Sequence, residues 1–327
     1  MKNTLIIILL LSTSITASGQ DAQFSQFYAN PIYLAPSFAG STEAPRFVLN
    51  YRDQWRQVPG NFVTYSFSAD HYFRNFNSGM GVYFFSDNAG GGKQVTTNIG
   101  YAYSYKVKIN REFMFQPGLS VYYHNRNINS NITFADQYSG GQFVGSSSEV
   151  LPNQKVQHAD FAVSVLGYLE NFWFGANVDH LMNLSPVLRS DFRYTDMKFS
   201  AFGGVKYSIK KRVRDKKDEF FHAAFNYRYQ SSIHQLDLGA YYNRRPIILG
   251  LWYRGIPIVN EYTTADALIF LAGIKYNEYV FSYSYDMTLG KLISRTGGSH
   301  EISIIYSLGE SDKVRPKKYK PIPCPEF

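Results

Sequence analysis

The residues able to do chemistry are few, and their spacing does not favour it. Seven histidines, His71, His124, His158, His180, His222, His234 and His300, include no HExxH and no other close pair at metal-ligand spacing. A zinc hydrolase therefore has no visible anchor. No GxSxG occurs, and the one cysteine, Cys324, lies among prolines near the carboxyl end, a poor place to preorganise a nucleophile. The run from Asn88 to Lys93, NAGGGK, superficially resembles a phosphate loop. It lacks the Ser or Thr after the lysine and joins two predicted strands instead of opening a helix, so it reads as a hairpin loop. Asp286, His300 and Glu301 fall at one end of the last predicted hairpin, where a hydrogen-bond network stiffening a wall explains them better than catalysis does. The expectation is a protein that is not an enzyme and uses no metal or cofactor.

The elements that position these residues are strands. In the last hairpin, Tyr279, Phe281, Tyr283, Tyr285 and Met287 occupy every second place while Ser282, Ser284, Asp286 and Thr288 fill the alternate ones. This is a strand period with one apolar and one polar face. A turn-rich connection, Gly290 to Gly298, leads to Ile302, Ile304, Tyr306 and Leu308, which repeat the stripe. The same rule, applied from Pro45 onward, predicts about fourteen antiparallel strands of the length that crosses a bilayer at a tilt. Connections alternate between short, as at Glu170–Asn171 and Asn277–Glu278, and long, as at Asn125–His158 and Met182–Lys198, with the long inner Lys210–Glu219 and the short outer Ser231–His234 as departures. That asymmetry is characteristic of outer-membrane barrels. A soluble sandwich would carry Lys, Glu and Thr on its wet face, and a propeller would show a repeat; neither pattern is present. The predicted fold is all-β, a single closed transmembrane barrel over residues 44–308.

Composition agrees. Tyr and Phe number 27 and 26, yet charged residues make up only 18%, as suits a surface that shows aromatic side chains to lipid. Residues 1–19 read as a secretory leader with an apolar run from Leu5 to Leu11 and a small-residue cleavage site before Gln20. The stretch 20–43 lacks alternation. Asn30-Pro31 suits the start of a short helix ending near Gly40, and with Pro36 these residues mark a plug-like segment expected to pack on the lumen or the periplasmic rim. Six basic residues lie between Lys210 and Lys217 and five follow Gly309, a third of the 33 in the chain. With an even strand number, both chain ends and this basic turn are expected on the periplasmic side. The predicted partner surface is therefore Lys210, Lys211, Arg212, Lys216 and Lys217 together with Arg315, Lys317, Lys318, Lys320, Cys324 and Phe327 of the proline-rich tail, 309–327. That tail is either solvated or a docking peptide. A nucleic-acid partner does not suit an exported chain.

Several of these residues carry a resemblance. The opening from Gln23 to Gly40 (QFSQFYANPIYLAPSFAG), Tyr51-Arg-Asp-Gln-Trp55, Ser282-Tyr-Ser-Tyr-Asp286, the turn Thr296-Gly297-Gly298-Ser299-His300-Glu301-Ile302 and the terminal Cys324-Pro-Glu-Phe327 are similar to the PorP/SprF family. Those are outer-membrane barrels of the Bacteroidetes type IX secretion and gliding machinery. The resemblance implies a non-enzymatic component that supports export or surface attachment of cargo such as large adhesins, in contact with outer-membrane lipid and periplasmic members of the machinery. A diffusion channel for small solutes is the alternative, and an outer-membrane hydrolase a weaker one.

Overall fold

A computed structural model describes residues 21–91, 94–110, 112–128, 138–139, 142–143, 155–184, 195–210, 219–256, 267–289 and 295–308. Fourteen long antiparallel strands form a closed barrel: β1 (Arg46–Gln54), β2 (Phe62–Phe73), β3 (Ser78–Ala89), β4 (Gln94–Tyr105), β6 (Met114–Ile128), β9 (Lys155–Tyr168), β10 (Phe172–Asp179), β11 (Lys198–Lys210), β12 (Glu219–Gln230), β13 (Ile233–Arg244), β14 (Ile247–Arg254), β15 (Ala267–Tyr276), β16 (Tyr279–Thr288) and β17 (Ser299–Ser307). The two-residue β5 (Val107–Lys108) prolongs the edge of β4 against β6, and β7 (Tyr138–Ser139) pairs with β8 (Gln142–Phe143) as a separate ribbon. Each long strand pairs with its neighbours in sequence, and β1 closes on β17 with Arg46 opposite Ser307 and Gln54 opposite Ser299. Closure leaves no free edge, which a sheet in lipid requires because no water is present to satisfy an unpaired backbone group. The last hairpin forms as its alternation demands, with Tyr279 opposite Tyr306 and Asp286 opposite Ser299.

The two faces sort as the period of two predicts. Phe47, Leu49, Phe67, Ile99, Tyr101, Val121, Val163, Leu249, Phe270, Phe281 and Ile302 are exposed on the outside, and Ser66, Ser68, Ser120, Ser164, Asn226, Ser284 and Ser303 are buried on the inside. Aromatic rings gather at both rims. Tyr279 stacks on Tyr306 at 4.6 Å between centroids at one, and Tyr229 lies 4.7 Å from His234 at the other. Such girdles suit side chains that are apolar in body and polar at the tip.

The inner face departs from a uniformly small and polar lining. Trp173, Tyr241, Ile248, Trp252, Ile269, Leu271, Val280 and Ile305 are buried there in one cluster with Phe27, Tyr28, Leu34 and Phe38. The cause is the amino-terminal segment, which lies inside the barrel and offers its own apolar side chains to the wall. Water does not wet this part of the lumen, so the alternation there is apolar on both sides. The segment itself is broken where a single helix to Gly40 was expected. It has a turn at Phe27–Ala29, one α-turn at Pro31–Leu34 with Pro31 in its first turn, and another turn at Pro36–Phe38. Pro36 ends the α-turn by forcing Ala35 into extended backbone, φ −164° and ψ 135°.

Candidate functional site

The lumen holds a dense set of polar contacts, and the luminal segment sits at its centre. Wall strands β1, β14, β16 and β17 each bring one charged residue to the same level: Arg52, Arg254, Asp286 and Glu301. Arg52 donates to Asp286 at 2.8 Å and to Glu301 at 3.0 Å, and Arg254 donates to Asp286 at 3.1 Å. Asp237 on β13 accepts from Arg254 at 3.1 Å and from Arg228 on β12 at 2.6 Å. Three guanidinium groups thus balance three carboxylates, all with side chains at most 13% exposed. Buried charges on this scale are tolerated only when paired and hydrogen-bonded.

Ser25 and Gln26 complete the network. The Ser25 hydroxyl donates to Asp286 and accepts from Arg52 at 2.6 Å and from Arg254 at 3.0 Å. The Glu301 carboxylate accepts two successive backbone N–H groups, Ser25 at 2.7 Å and Gln26 at 2.9 Å. The Gln26 side chain donates to Ser284 and accepts from Ser282. These are contacts of a peptide held by a site, made by side chains and not by a sheet ladder.

A second cluster holds the first described residue. The Asp21 carboxylate meets His180 Nε2 and Lys198 Nζ, each at 3.0 Å. His180 Nδ1 meets Asp160 at 2.8 Å, and Lys198 also reaches Asp179 at 3.0 Å. Burial alone would raise the Asp21 carboxyl, but Lys198 and His180 hold it well below the usual carboxylate range. Burial would likewise lower His180, yet Asp21 and Asp160 outweigh it and push the imidazole up to about 10. The rings of His124 and His158 lie 5.0 Å apart and those of His124 and His180 6.0 Å apart. This grouping is invisible to sequence spacing. Both nitrogens of His180 are already engaged by carboxylates, and no three metal-ligating side chains among the described residues are arranged to hold an ion.

The far end of the segment is fitted closely to the wall. Gly40 adopts φ +61°, and its N–H donates to Asp70 at 2.8 Å. A side chain on Gly40 would strike Gly79 Cα at 2.5 Å, and one on Gly118 would strike Ser37 N at 2.2 Å. Asn30 donates to Ser66 at 2.9 Å, and Pro31 and Pro36 are buried against the wall. All four residues singled out in this stretch, Asn30, Pro31, Pro36 and Gly40, therefore contact or face the barrel interior.

The expected trio at the end of the last hairpin is divided. Asp286 and Glu301 meet through Arg52 and Ser25 inside, but His300, adjacent to Glu301 on a strand, points to the outer face and pairs with Tyr283 at 2.7 Å. Gly297 and Gly298, both at φ +69°, turn the chain ahead of Ser299, and the Gly298 carbonyl accepts from Trp55 at 2.9 Å. Of the predicted partner surface, Lys210 ends β11 opposite Glu219. Lys211, Arg212, Lys216, Lys217, Arg315, Lys317, Lys318, Lys320, Cys324 and Phe327 lie outside the described residues. Arg52, Arg228, Asp237, Arg254, Asp21 and His180 were missed, although the six charged wall positions from Arg52 to Glu301 all fall on the polar phase of their strands.

Comparison with solved structures gives distant likeness alone. The toluene transporter TbuX of Ralstonia pickettii aligns at 10% identity over 84% of this chain and 92% of its own, with a TM-score of 0.49. A TodX monoaromatic hydrocarbon channel mutant gives 10%, 88%, 94% and 0.48, and a Pseudomonas aeruginosa FadL homologue 11%, 84%, 92% and 0.45. Likeness this distant carries no functional argument. No curated protein matches the chain. The family model described as type IX secretion system membrane protein PorP/SprF matches residues 16–306, so it covers the luminal segment and reaches into every wall strand. The chain belongs to the PorP/SprF family.

Proposed function

We propose that this protein is a non-enzymatic outer-membrane component of the type IX secretion and gliding machinery that supports export or surface attachment of cargo such as adhesins. The observation that carries the reading is the filled lumen. Residues 24–40 are buried inside the barrel except Tyr33, which is half-buried, and the cavities beside the segment measure about 40 and 70 Å³. A lumen occupied by the chain's own packed segment leaves little room for solutes, which favours this reading over the diffusion-channel alternative. Side chains committed to holding a peptide, with both His180 nitrogens occupied, disfavour the hydrolase.

The outer aromatic surface contacts outer-membrane lipid, and the rim that carries the Glu170–Asn171 and Asn277–Glu278 turns faces the periplasm. On that side the basic turn from Lys210 to Lys217 and the tail from Arg315 to Phe327 engage periplasmic members of the machinery, while cargo is served from the membrane. The test is deletion of the protein followed by measurement of cell-surface display of type IX cargo. Loss of display of a particular surface protein, restored by complementation, is expected; undiminished display of every cargo overturns the reading.

A further inference from the structure

The luminal segment sets the two ends of the chain on opposite rims. Strand termini Gln54, Asp179, Gln230, Arg254 and Thr288 form one rim, and Arg46, Tyr168, Arg244, Tyr276 and Ser307 form the other. The Asp21 N–H donates to Gln230 at 3.0 Å, and its carboxylate meets His180, just past Asp179, and Lys198, the first residue of β11. All three belong to the first rim. At the segment's other end, Gly40 bonds Asp70, and the Ala39 carbonyl accepts from Ser104 at 2.7 Å and Gln116 at 3.1 Å, near the second rim. Between them, Ser25 lies beside Arg52, Asn30 beside Ser66 and Ser37 beside Ser164. The chain therefore traverses the lumen from the first rim to the second before β1 begins. Leu308, whose N–H donates to the Pro45 carbonyl at 2.9 Å, stays at the second.

We infer that the amino terminus of the mature protein is presented at the rim of the Ser231–Ser232 turn, opposite the rim from which the carboxyl-terminal tail departs, and that Asp21 is the latch that keeps it there. An even number of strands puts residues 46 and 307 together, but it does not fix residue 21, because some twenty residues of extended chain reach across a membrane with length to spare. The inference departs for this reason from the expectation that both ends share a side. With long loops outside, the amino terminus faces the cell exterior. The two anchors differ in kind: the second rim holds the segment covalently and by close backbone packing, the first only by side-chain contacts to Asp21 and its neighbours. Unlatching therefore frees the first-rim end while the segment stays tethered at Ser41.

The test uses the full chain with Cys324→Ser and one cysteine inserted between Gln20 and Asp21. Intact cells are labelled with a membrane-impermeant maleimide, with Ser232→Cys and Asn277→Cys as markers of the two rims. The inserted cysteine is expected to label under the conditions that label Ser232→Cys and not with Asn277→Cys. Labelling together with Asn277→Cys, or none until the barrel is unfolded, overturns the inference. Because the markers report each rim directly, the outcome is decided even if the assignment of long loops to the exterior is itself reversed. Adding Asp21→Asn should raise the labelling rate severalfold by loosening the end, and an unchanged rate removes Asp21 from the role of latch.

Discussion

Replacing Gly118 with valine tests whether the luminal segment is a fitted part of the barrel. The three atoms nearest a Cβ at Gly118 all belong to the segment: Ser37 N at 2.2 Å, Ser37 Cα at 2.5 Å and Pro36 C at 2.6 Å. Ordinary carbon contacts begin near 3.5 Å, so the segment must retreat by about 1 Å. That movement breaks the Ser37 N–H bond to Ser164, 2.8 Å long, and lifts Phe38 from Trp173 and Phe202. Overpacking costs about 1–3 kcal/mol and the lost hydrogen bond about 1 kcal/mol more. The sum raises the population of the displaced segment roughly a hundredfold. Proteolysis of a transiently opened region follows that population when reclosing is fast. Cleavage between Phe24 and Phe38 in the purified, folded protein should therefore accelerate about a hundredfold, with barrel mobility on gels unchanged. Gly273→Ala is the control, because its Cβ would meet wall atoms alone, the nearest at 3.2 Å. Equal cleavage rates in wild type and Gly118→Val would refute the fitted-segment reasoning.

Other outcomes follow from the same contacts. Glu301→Ala removes the acceptor of two backbone N–H groups and leaves Arg52 short of a partner in the lumen. Breaking a buried pair costs about 3–5 kcal/mol, and thermal unfolding in detergent should report a clear loss of stability. The first-rim latch should depend on pH in a defined direction. His180, faced by Asp21, Asp160, Tyr122, His124, His158, Lys198 and Asp179, is raised to about 10 from an ordinary 6.5. Its contribution is full below that ordinary value and is lost as pH rises through about 10. Asp21 is lowered, so its own contribution is present above 3.8 and fails only as pH falls through its folded value. Protease cleavage near Asp21 should quicken between neutral pH and pH about 10.5, and His180→Gln should remove most of that dependence. Deleting Arg315 to Phe327, or neutralising Lys210, Lys211, Arg212, Lys216 and Lys217, should reduce cargo display at normal barrel abundance. Normal display in both variants would shift attention to the loop from Asn125 to His158.

The strand skeleton was legible because its signal is local. Ile247–Arg254 and Ala267–Tyr276 form over the predicted residues, and the other strands shift by a few residues at either end. Arg52 shows what a local signal misses: it lies within β1, where its inward phase delivers it to Glu301 and Asp286. A period of two tells which face a residue takes, but not which residues meet across a lumen, and partners as distant as Ser25 and Glu301 leave no trace in spacing. Trp173 and Trp252 were hidden for a related reason. Inward apolar residues make sense only once Phe38 and Phe27 are known to lie against them. The luminal segment was recognisable as apolar and strandless, but its direction depends on Asp21, whose partners His180 and Lys198 belong to other strands' ends.

On this reading the chain closes its own barrel. The most direct test is the electrical conductance of the purified wild-type protein in a planar lipid bilayer, with Gly118→Val measured alongside. Insertion of wild type without steady open-pore conductance, together with open steps from the variant, is the predicted result. Stable conductance steps accompanying every wild-type insertion would contradict it.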